Sequence, residues 1–240
     1  MASTDGERKS QPVALAHQPP VAENRRVLAL QLLVEGAGVA LWMATIVSTA
    51  IMGQRLLLSD GELRWAVAIA TGVTFGVLFT LARRLTRRDI ALNPILGLQE
   101  PAGVAARSLS QIAGACAGVI VVQFAFNLDP IQGVSQIWPT VAGPFASEMA
   151  ASFLFVCAYE ALRTRGTAIT GIGLAVALVA ICGLSPHFAT GHPAATLARA
   201  LTAGPLALSL PEAGVITAAQ IISRAAAYVA LSAFALKTWR

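Results

Sequence analysis

Six long apolar stretches, separated by short polar segments, dominate the pattern of this chain. A helix needs about 20 predominantly apolar residues to cross a bilayer, and each stretch is close to that length. The pattern therefore predicts an all-α integral membrane protein with six transmembrane helices. Their approximate limits are residues 27–52, 65–82, 104–126, 141–162, 168–184 and 213–236.

Two further apolar pieces are too short to cross a bilayer, and each begins with a proline, in Asn93-Pro94 and His192-Pro193. Proline suits the first turn of a helix, where its missing N–H is not needed. The preceding residue then occupies the capping position, for which asparagine is among the best residues and histidine is not. Paired, proline-interrupted short segments are typical of a site at the membrane midplane. The pattern thus predicts two re-entrant half-helices.

The same order of features occurs twice along the chain. Each half has three spans, so the second half enters the membrane with inverted topology, and the sequence predicts an inverted repeat. The predicted divisions are a disordered cytoplasmic tail (1–24), a first half-repeat (25–126), a connecting loop (127–140) and a second half-repeat (141–240). The paired features are Glu35, Asn93-Pro94 and Gln111 in the first half, and Glu148, His192-Pro193 and Gln220 in the second.

Composition and charge agree with a multi-pass membrane protein. The chain is 56% hydrophobic and only 12% charged, whereas a soluble domain is about one quarter charged. With the N-terminus inside, 12 of the 17 Lys and Arg residues lie on the cytoplasmic side. The positive-inside rule therefore predicts a cell (inner or plasma) membrane protein with both termini in the cytoplasm.

Other chemistries lack a pattern in this sequence. The three cysteines lie within apolar runs, and the three histidines are too scattered for a metal site. No spacing typical of a catalytic triad, a metal enzyme or a phosphate-binding loop occurs, so we expect neither an enzyme nor a cofactor. The basic residues flank spans without interleaved surface aromatics, which argues against a nucleic-acid partner.

The two motifs Asn93-Pro94-Ile95 and His192-Pro193-Ala194 resemble the paired Asn-Pro-Ala motifs of the aquaporin and glycerol-channel family, the major intrinsic proteins. The tracts 35–41 and 194–202 are most similar to a bacterial, aquaglyceroporin-type branch of that family, and the resemblance covers roughly residues 30–236. It implies an aquaporin-like fold, assembly as a homotetramer and passive transport of water or small uncharged solutes. The chain departs from the family pattern at His192 and Ile95.

The resemblance also implies roles for individual residues. Asn93, Pro94, His192, Pro193 and Ala194 would form the pore midplane, with the Asn93 amide donating into the pore. A neutral His192 could cap its helix with one nitrogen and offer N–H with the other. Two alternatives stay open for His192, namely an inert structural replacement and a pH gate.

A selectivity filter is implied at Thr71, Ala180, Ala189 and Ala195, which would be wide and weakly polar and would favour polyols, urea or metalloid acids. Arg199, one turn deeper, is expected to brace the half-helix through backbone carbonyls rather than to filter solutes.

Glu35 and Glu148 lie within spans, where ionisable groups usually have a function. The resemblance implies that each accepts N–H bonds from the backbone leading into its own half-helix. Arg224, in the last span, has no partner that the sequence identifies. Two alternatives to a channel remain at this point: a divergent, non-conducting membrane protein and, less favoured, a secondary transporter, which would want further acids within the spans.

Overall fold

The computed structural model describes residues 21–87, 90, 92–94, 103–128, 142–185, 187–202 and 206–238. Within these ranges the chain is helical and contains no strand. Six helices are long and apolar enough to cross a membrane, which confirms the six predicted spans. The helices are α1 (Val21–Arg55), α2 (Asp60–Thr86), α3 (Val104–Ala125), α4 (Ala142–Leu162), α5 (Thr167–Leu184), α6 (Pro193–Arg199) and α7 (Leu210–Thr238).

Helix α2 begins before its apolar stretch because polar residues cap it. At the start of α2, the Ser59 side chain accepts from the Glu62 N–H, and the Glu62 carboxylate accepts from the Ser59 N–H at 2.9 Å. This reciprocal capping box stabilises a helix start that hydropathy alone does not show. Helix α1 likewise begins at Val21, so residues 21–24, which the sequence assigned to the tail, are helical.

The second of the two predicted half-helices corresponds to α6, which begins at Pro193. For the first, the structure describes Leu92, Asn93 and Pro94, and the helix predicted after Pro94 lies outside the described residues. Residues 1–20 of the predicted tail and most of the predicted 127–140 loop also lie outside them.

Small residues allow the helices to approach closely. Helix α3 packs on α1, α2 packs on α5, α4 packs on α5 and α7, and α6 contacts α3 and α7. A Cβ added at Gly114 would collide with the carbonyl oxygen of Gly36, and one at Gly72 would collide with that of Ala175. Such contacts bring backbones together where lipid supplies no hydrophobic driving force between helices.

The outward surface of the bundle is apolar. Large side chains such as Leu33, Phe124, Ile172 and Val176 are each more than 60% exposed. A soluble protein rarely exposes so much apolar surface, whereas lipid accommodates it. Polar and charged residues occupy the interior instead, where Glu35, Glu148, Asn93 and His192 are fully or almost fully buried.

Candidate functional site

The two proline-containing segments meet in the centre of the bundle and are joined by reciprocal hydrogen bonds. The Asn93 Nδ2 donates to the Gly191 carbonyl oxygen at 3.0 Å. The His192 Nε2 lies 2.6 Å from the Leu92 carbonyl oxygen. Each side chain thus contacts the residue that precedes the other. Both side chains are 0% exposed.

His192 also caps α6, which fixes its tautomer. Its backbone is extended, Pro193 follows as the first helical residue, and the Nδ1 accepts the Ala195 N–H at 3.3 Å. Since Nδ1 accepts, Nε2 carries the hydrogen and donates to the Leu92 carbonyl. His192 lies outside the six spans, and burial lowers the pKa of its ring from the usual 6.5 to about 4. The imidazole is therefore neutral near pH 7, and its N–H is used by Leu92 rather than offered to a pore.

Glu148 of α4 holds the backbone that enters α6. Its carboxylate accepts the Thr190 N–H at 3.3 Å and the Gly191 N–H at 2.9 Å. Gln220 of α7 donates to the same carboxylate at 3.0 Å and to the Thr196 hydroxyl at 2.8 Å. The Thr190 and Gly191 N–H groups, which have no helical partner, are thereby hydrogen-bonded although they are buried.

Glu35 of α1 has an equivalent partner in Gln111 of α3, which donates to its carboxylate at 2.7 Å. A second partner, Arg107, was not identified from the sequence. The Arg107 Nε and Nη2 lie 2.9 and 2.6 Å from one carboxylate oxygen of Glu35. The signal was present, since Arg107 lies four residues before Gln111 and hence on the same face of its helix.

Arg199, at the end of α6, ties together the chain on both sides of that helix. Its Nε donates to the Leu206 carbonyl at 2.8 Å, and its two Nη atoms donate to the Phe188 and His187 carbonyls at 3.4 and 3.3 Å. The guanidinium also lies 3.8 Å from the Glu148 carboxylate. Arg199 is only 6% exposed, so these contacts occupy a buried cation whose donors face protein.

Of the four residues predicted for the filter, three are buried and Ala180 is exposed. Thr71, Ala189 and Ala195 are all 0% exposed. Ala180 instead lies on the exposed face of α5, whereas Cys182, two residues on, is buried on the opposite face. Cys182 and Thr71 are both buried, on helices α5 and α2, which pack against each other. The helical period therefore places Cys182, and not Ala180, on the buried face of α5.

A connected set of buried aromatic rings, which we call the aromatic column, was also missed. Trp42 lies 4.8 Å from the His192 ring and 5.3 Å from Phe75, measured between ring centroids. Phe75 contacts Phe79 at 6.3 Å, and Phe79 contacts Tyr159 at 6.4 Å. Trp42 lies two helical turns after Glu35, so the spacing already predicts that both share one face of α1.

Arg224, for which the sequence identified no partner, contacts Tyr228 rather than the paired segments. The Arg224 guanidinium lies over the Tyr228 ring at 5.0 Å, and the Tyr228 hydroxyl donates to Glu160 at 3.1 Å. His187 is exposed at the end of α5, consistent with its backbone, rather than its ring, contacting Arg199. Within the described ranges, no group of three or more His, Cys, Asp or Glu side chains could hold a metal ion.

The comparison with known proteins yields a bacterial relative. The sequence is 30% identical over 189 residues to the protein named aquaglyceroporin AqpS of Rhizobium meliloti (strain 1021). The aligned region covers 70% of this chain and 74% of the relative. No protein-family model matches the sequence.

Proposed function

Since this chain belongs to the aquaporin (major intrinsic protein) family, we propose that it is a passive transmembrane channel for water and small uncharged solutes. The observation that carries the proposal is the reciprocal pairing of residues 92–94 and 191–193 in the centre of six membrane helices. Irregular backbone at membrane depth is tolerated only where it is buried in protein or lines a water-filled path. This junction, with Asn93, Pro94, His192, Pro193 and Ala194, is the proposed pore midplane.

We further propose that the two segments are re-entrant and belong to an inverted repeat. The Glu35–Gln111 bond between α1 and α3 and the Glu148–Gln220 bond between α4 and α7 support this, since each pairs the first and third spans of one half. The following residues agree. Gly114 packs under the Gly36 carbonyl, three residues after Gln111. The hydroxyl of Ser223, three residues after Gln220, donates to the Met149 carbonyl.

The side chains of the proposed filter are small and weakly polar, which makes the ring wide. It comprises Thr71, Ala189, Ala195 and, in place of Ala180, Cys182. Arg199 donates to three carbonyls and lies beside Glu148, so its guanidinium faces protein rather than a passing solute. A ring without a bulky or charged group lowers the cost of passing solutes larger than water. Polyols, urea and undissociated metalloid acids are the proposed solute class.

The proposed placement is the cell (inner or plasma) membrane with both termini in the cytoplasm. Exposed Arg84 at the end of α2, and exposed Arg163 and Arg165 after α4, support the orientation because positive residues favour the cytoplasmic side. A homotetramer is proposed from family membership alone.

A non-conducting membrane protein is the second candidate. One observation favours it: Asn93 and His192 are 0% exposed, and their side-chain donors are already paired with backbone carbonyls. A solute that passes the midplane must find a route beside these pairs or displace them.

Stopped-flow permeability of proteoliposomes separates the two candidates. The purified chain should conduct water, glycerol or urea faster than protein-free liposomes, and Asn93→Leu with His192→Leu should abolish that flux. Arg165→Ala, an exposed change far from the midplane, serves as the matched control and should leave the flux unchanged. Absence of flux for every solute would support the non-conducting protein, and flux that survives the double substitution would refute the midplane site.

A further inference from the structure

Trp42 contacts both parts of the site described above. Its ring lies 4.8 Å from the His192 ring, between centroids, with the planes inclined at 42°. Its Nε1 donates to the Thr71 carbonyl oxygen at 2.8 Å. Trp42 thus lies between a midplane residue and a residue of the proposed filter. Its indole N–H and its ring are both held in place.

The aromatic column continues from Trp42 along the bundle. Phe75 and Phe79 follow one another on α2, and Tyr159 of α4 packs edge-on against Phe79. Beyond Phe79, the Arg83 guanidinium lies over the Phe79 ring at 5.5 Å. Arg83 belongs to the basic end of α2, which is the proposed cytoplasmic end, so the rings extend from the midplane towards that side.

The rings leave almost no surface that water can touch. Trp42 and Phe75 are 1% exposed, Phe79 is 0% exposed and Tyr159 is 9% exposed. Phe155 of α4, also 0% exposed, closes the side of the column by an edge contact with Phe75 at 5.5 Å. A side chain beside a water-filled lumen would expose one face, and none of these rings does.

We propose that Trp42 is a specificity-determining residue, which sets the size limit of the pathway beside His192 as the first ring of the aromatic column. This inference rests on the proposed channel function. Water passes such a constriction most easily, and the larger solutes of the proposed class pass it more slowly the more the indole must shift. The wide filter then admits the solute class, and the narrower point at Trp42 sets the relative rates at which water and larger solutes cross.

The physical basis is steric. Removing a large buried side chain leaves a cavity, since the surrounding packed structure relaxes only partially. In Trp42→Ala that cavity would lie between His192, Phe75 and Thr71, in continuity with the midplane. A solute of glycerol size gains more from this space than water does. The glycerol-to-water permeability ratio is therefore the informative quantity, and it does not depend on how many copies in the membrane are active.

The experiment measures water and glycerol permeability of proteoliposomes that contain the full chain, Trp42→Ala or Met43→Ala. Met43 is a matched control because it is the neighbouring residue on α1, is also 1% exposed and lies outside the aromatic column. We expect the ratio to rise about tenfold in Trp42→Ala, equivalent to a barrier lower by about 1.4 kcal/mol, and to stay within about twofold in Met43→Ala. If Trp42→Ala does not reconstitute, Phe79→Leu is measured instead and should also raise the ratio.

The outcomes separate this inference from the channel function. A conducting wild type whose ratio is unchanged in both Trp42→Ala and Phe79→Leu overturns the role of Trp42 and leaves the channel intact. A wild type without flux, together with a Trp42→Ala variant that conducts, supports the column as the barrier. Absence of flux in the wild type and in both ring variants overturns the inference and the proposed function together.

Discussion

Asn93 and His192 are linked reciprocally, because the side chain of each hydrogen-bonds to the carbonyl oxygen of the residue that precedes the other. The two segments come from halves of the chain that are about 100 residues apart. Both side chains are buried, so neither bond competes with water. The junction therefore holds the two halves of the bundle together at its centre as well as forming the proposed midplane.

Replacing His192 tests how much this junction contributes to stability. In His192→Leu, the Ala195 N–H and the Leu92 carbonyl both lose their partner while buried. Each unpaired buried group costs about 1–3 kcal/mol, so the midpoint of thermal unfolding in detergent should fall clearly. His192→Asn should be much milder, because asparagine restores a favoured cap, and its water flux should equal or exceed that of the wild type. A clear loss of flux in His192→Asn would show that the imidazole is a specialised element.

The protonation of His192 gives a prediction for pH. Burial lowers its pKa to about 4 in the folded chain, against the usual 6.5. The unfolded chain therefore binds a proton as pH falls through 6.5, whereas the folded chain does so only near 4. Stability from this residue is fully present above about pH 6.5 and is lost progressively down to about pH 4, by up to about 3 kcal/mol.

Unfolding measured against pH in the wild type and in His192→Asn isolates this effect, because carboxylates contribute to both. The variant should lack the part of the slope between pH 6.5 and 4. Solute flux through the wild type should stay flat between about pH 5 and 8, since the folded imidazole remains neutral there. A step in flux within that range would instead favour a pH gate.

We expect that replacing Glu35 or Arg107 alone destabilises the fold, whereas replacing both together is largely tolerated. Removing one partner of a buried ion pair leaves an uncompensated charge and costs about 3–5 kcal/mol, whereas an apolar replacement of both can be nearly neutral. Glu35→Met and Arg107→Met should each be strongly destabilising, and the double variant should recover much of the loss. A double-mutant cycle on thermal unfolding measures the coupling.

Arg163→Met provides the matched control for this cycle. Arg163 pairs with Glu160 but is 48% exposed, and surface pairs contribute only about 0–1 kcal/mol. If the single Arg107→Met variant were as mild as Arg163→Met, the buried pair would not stabilise the first half of the bundle.

The sequence predicts the spans and the second half-helix well because hydropathy and proline position depend on local residues. The repeated order of Glu and Gln singled these residues out, whereas the Glu35–Gln111 and Glu148–Gln220 contacts were not predicted. Contacts between helices depend on how each helix is rotated about its own axis. Hydropathy constrains that rotation weakly when a helix is apolar on every side. The resemblance alone placed Ala180 in the filter, and a shift of two positions along α5, to Cys182, moves a side chain from the exposed face to the buried one.

The aromatic column escaped notice for a related reason. A buried Trp or Phe within an apolar span does not stand out from the Leu and Val around it, and only its neighbours on other helices give it a role. Arg107 and Trp42 do share a helix face with residues that the sequence singled out, Gln111 and Glu35. The helical spacing from Gln111 and Glu35 could therefore have identified Arg107 and Trp42 from the sequence.

Arg199 offers the last test, because its geometry depends on a planar fork of donors. Three carbonyls, from His187, Phe188 and Leu206, accept from different nitrogens of its guanidinium. A lysine ammonium is a single point charge and cannot reach all three in this arrangement. Arg199→Lys should therefore destabilise the fold by about 1–3 kcal/mol through the carbonyls left unpaired.

The measurement is thermal unfolding of Arg199→Lys, with Arg165→Lys, an exposed change of the same chemistry, as control. The control should shift the midpoint little. Arg199→Lys should also lower the flux of water and of glycerol by the same factor, since the residue braces α6 and does not contact the solute. A change in the glycerol-to-water ratio would instead place the guanidinium in the solute pathway, and the bracing role would be wrong.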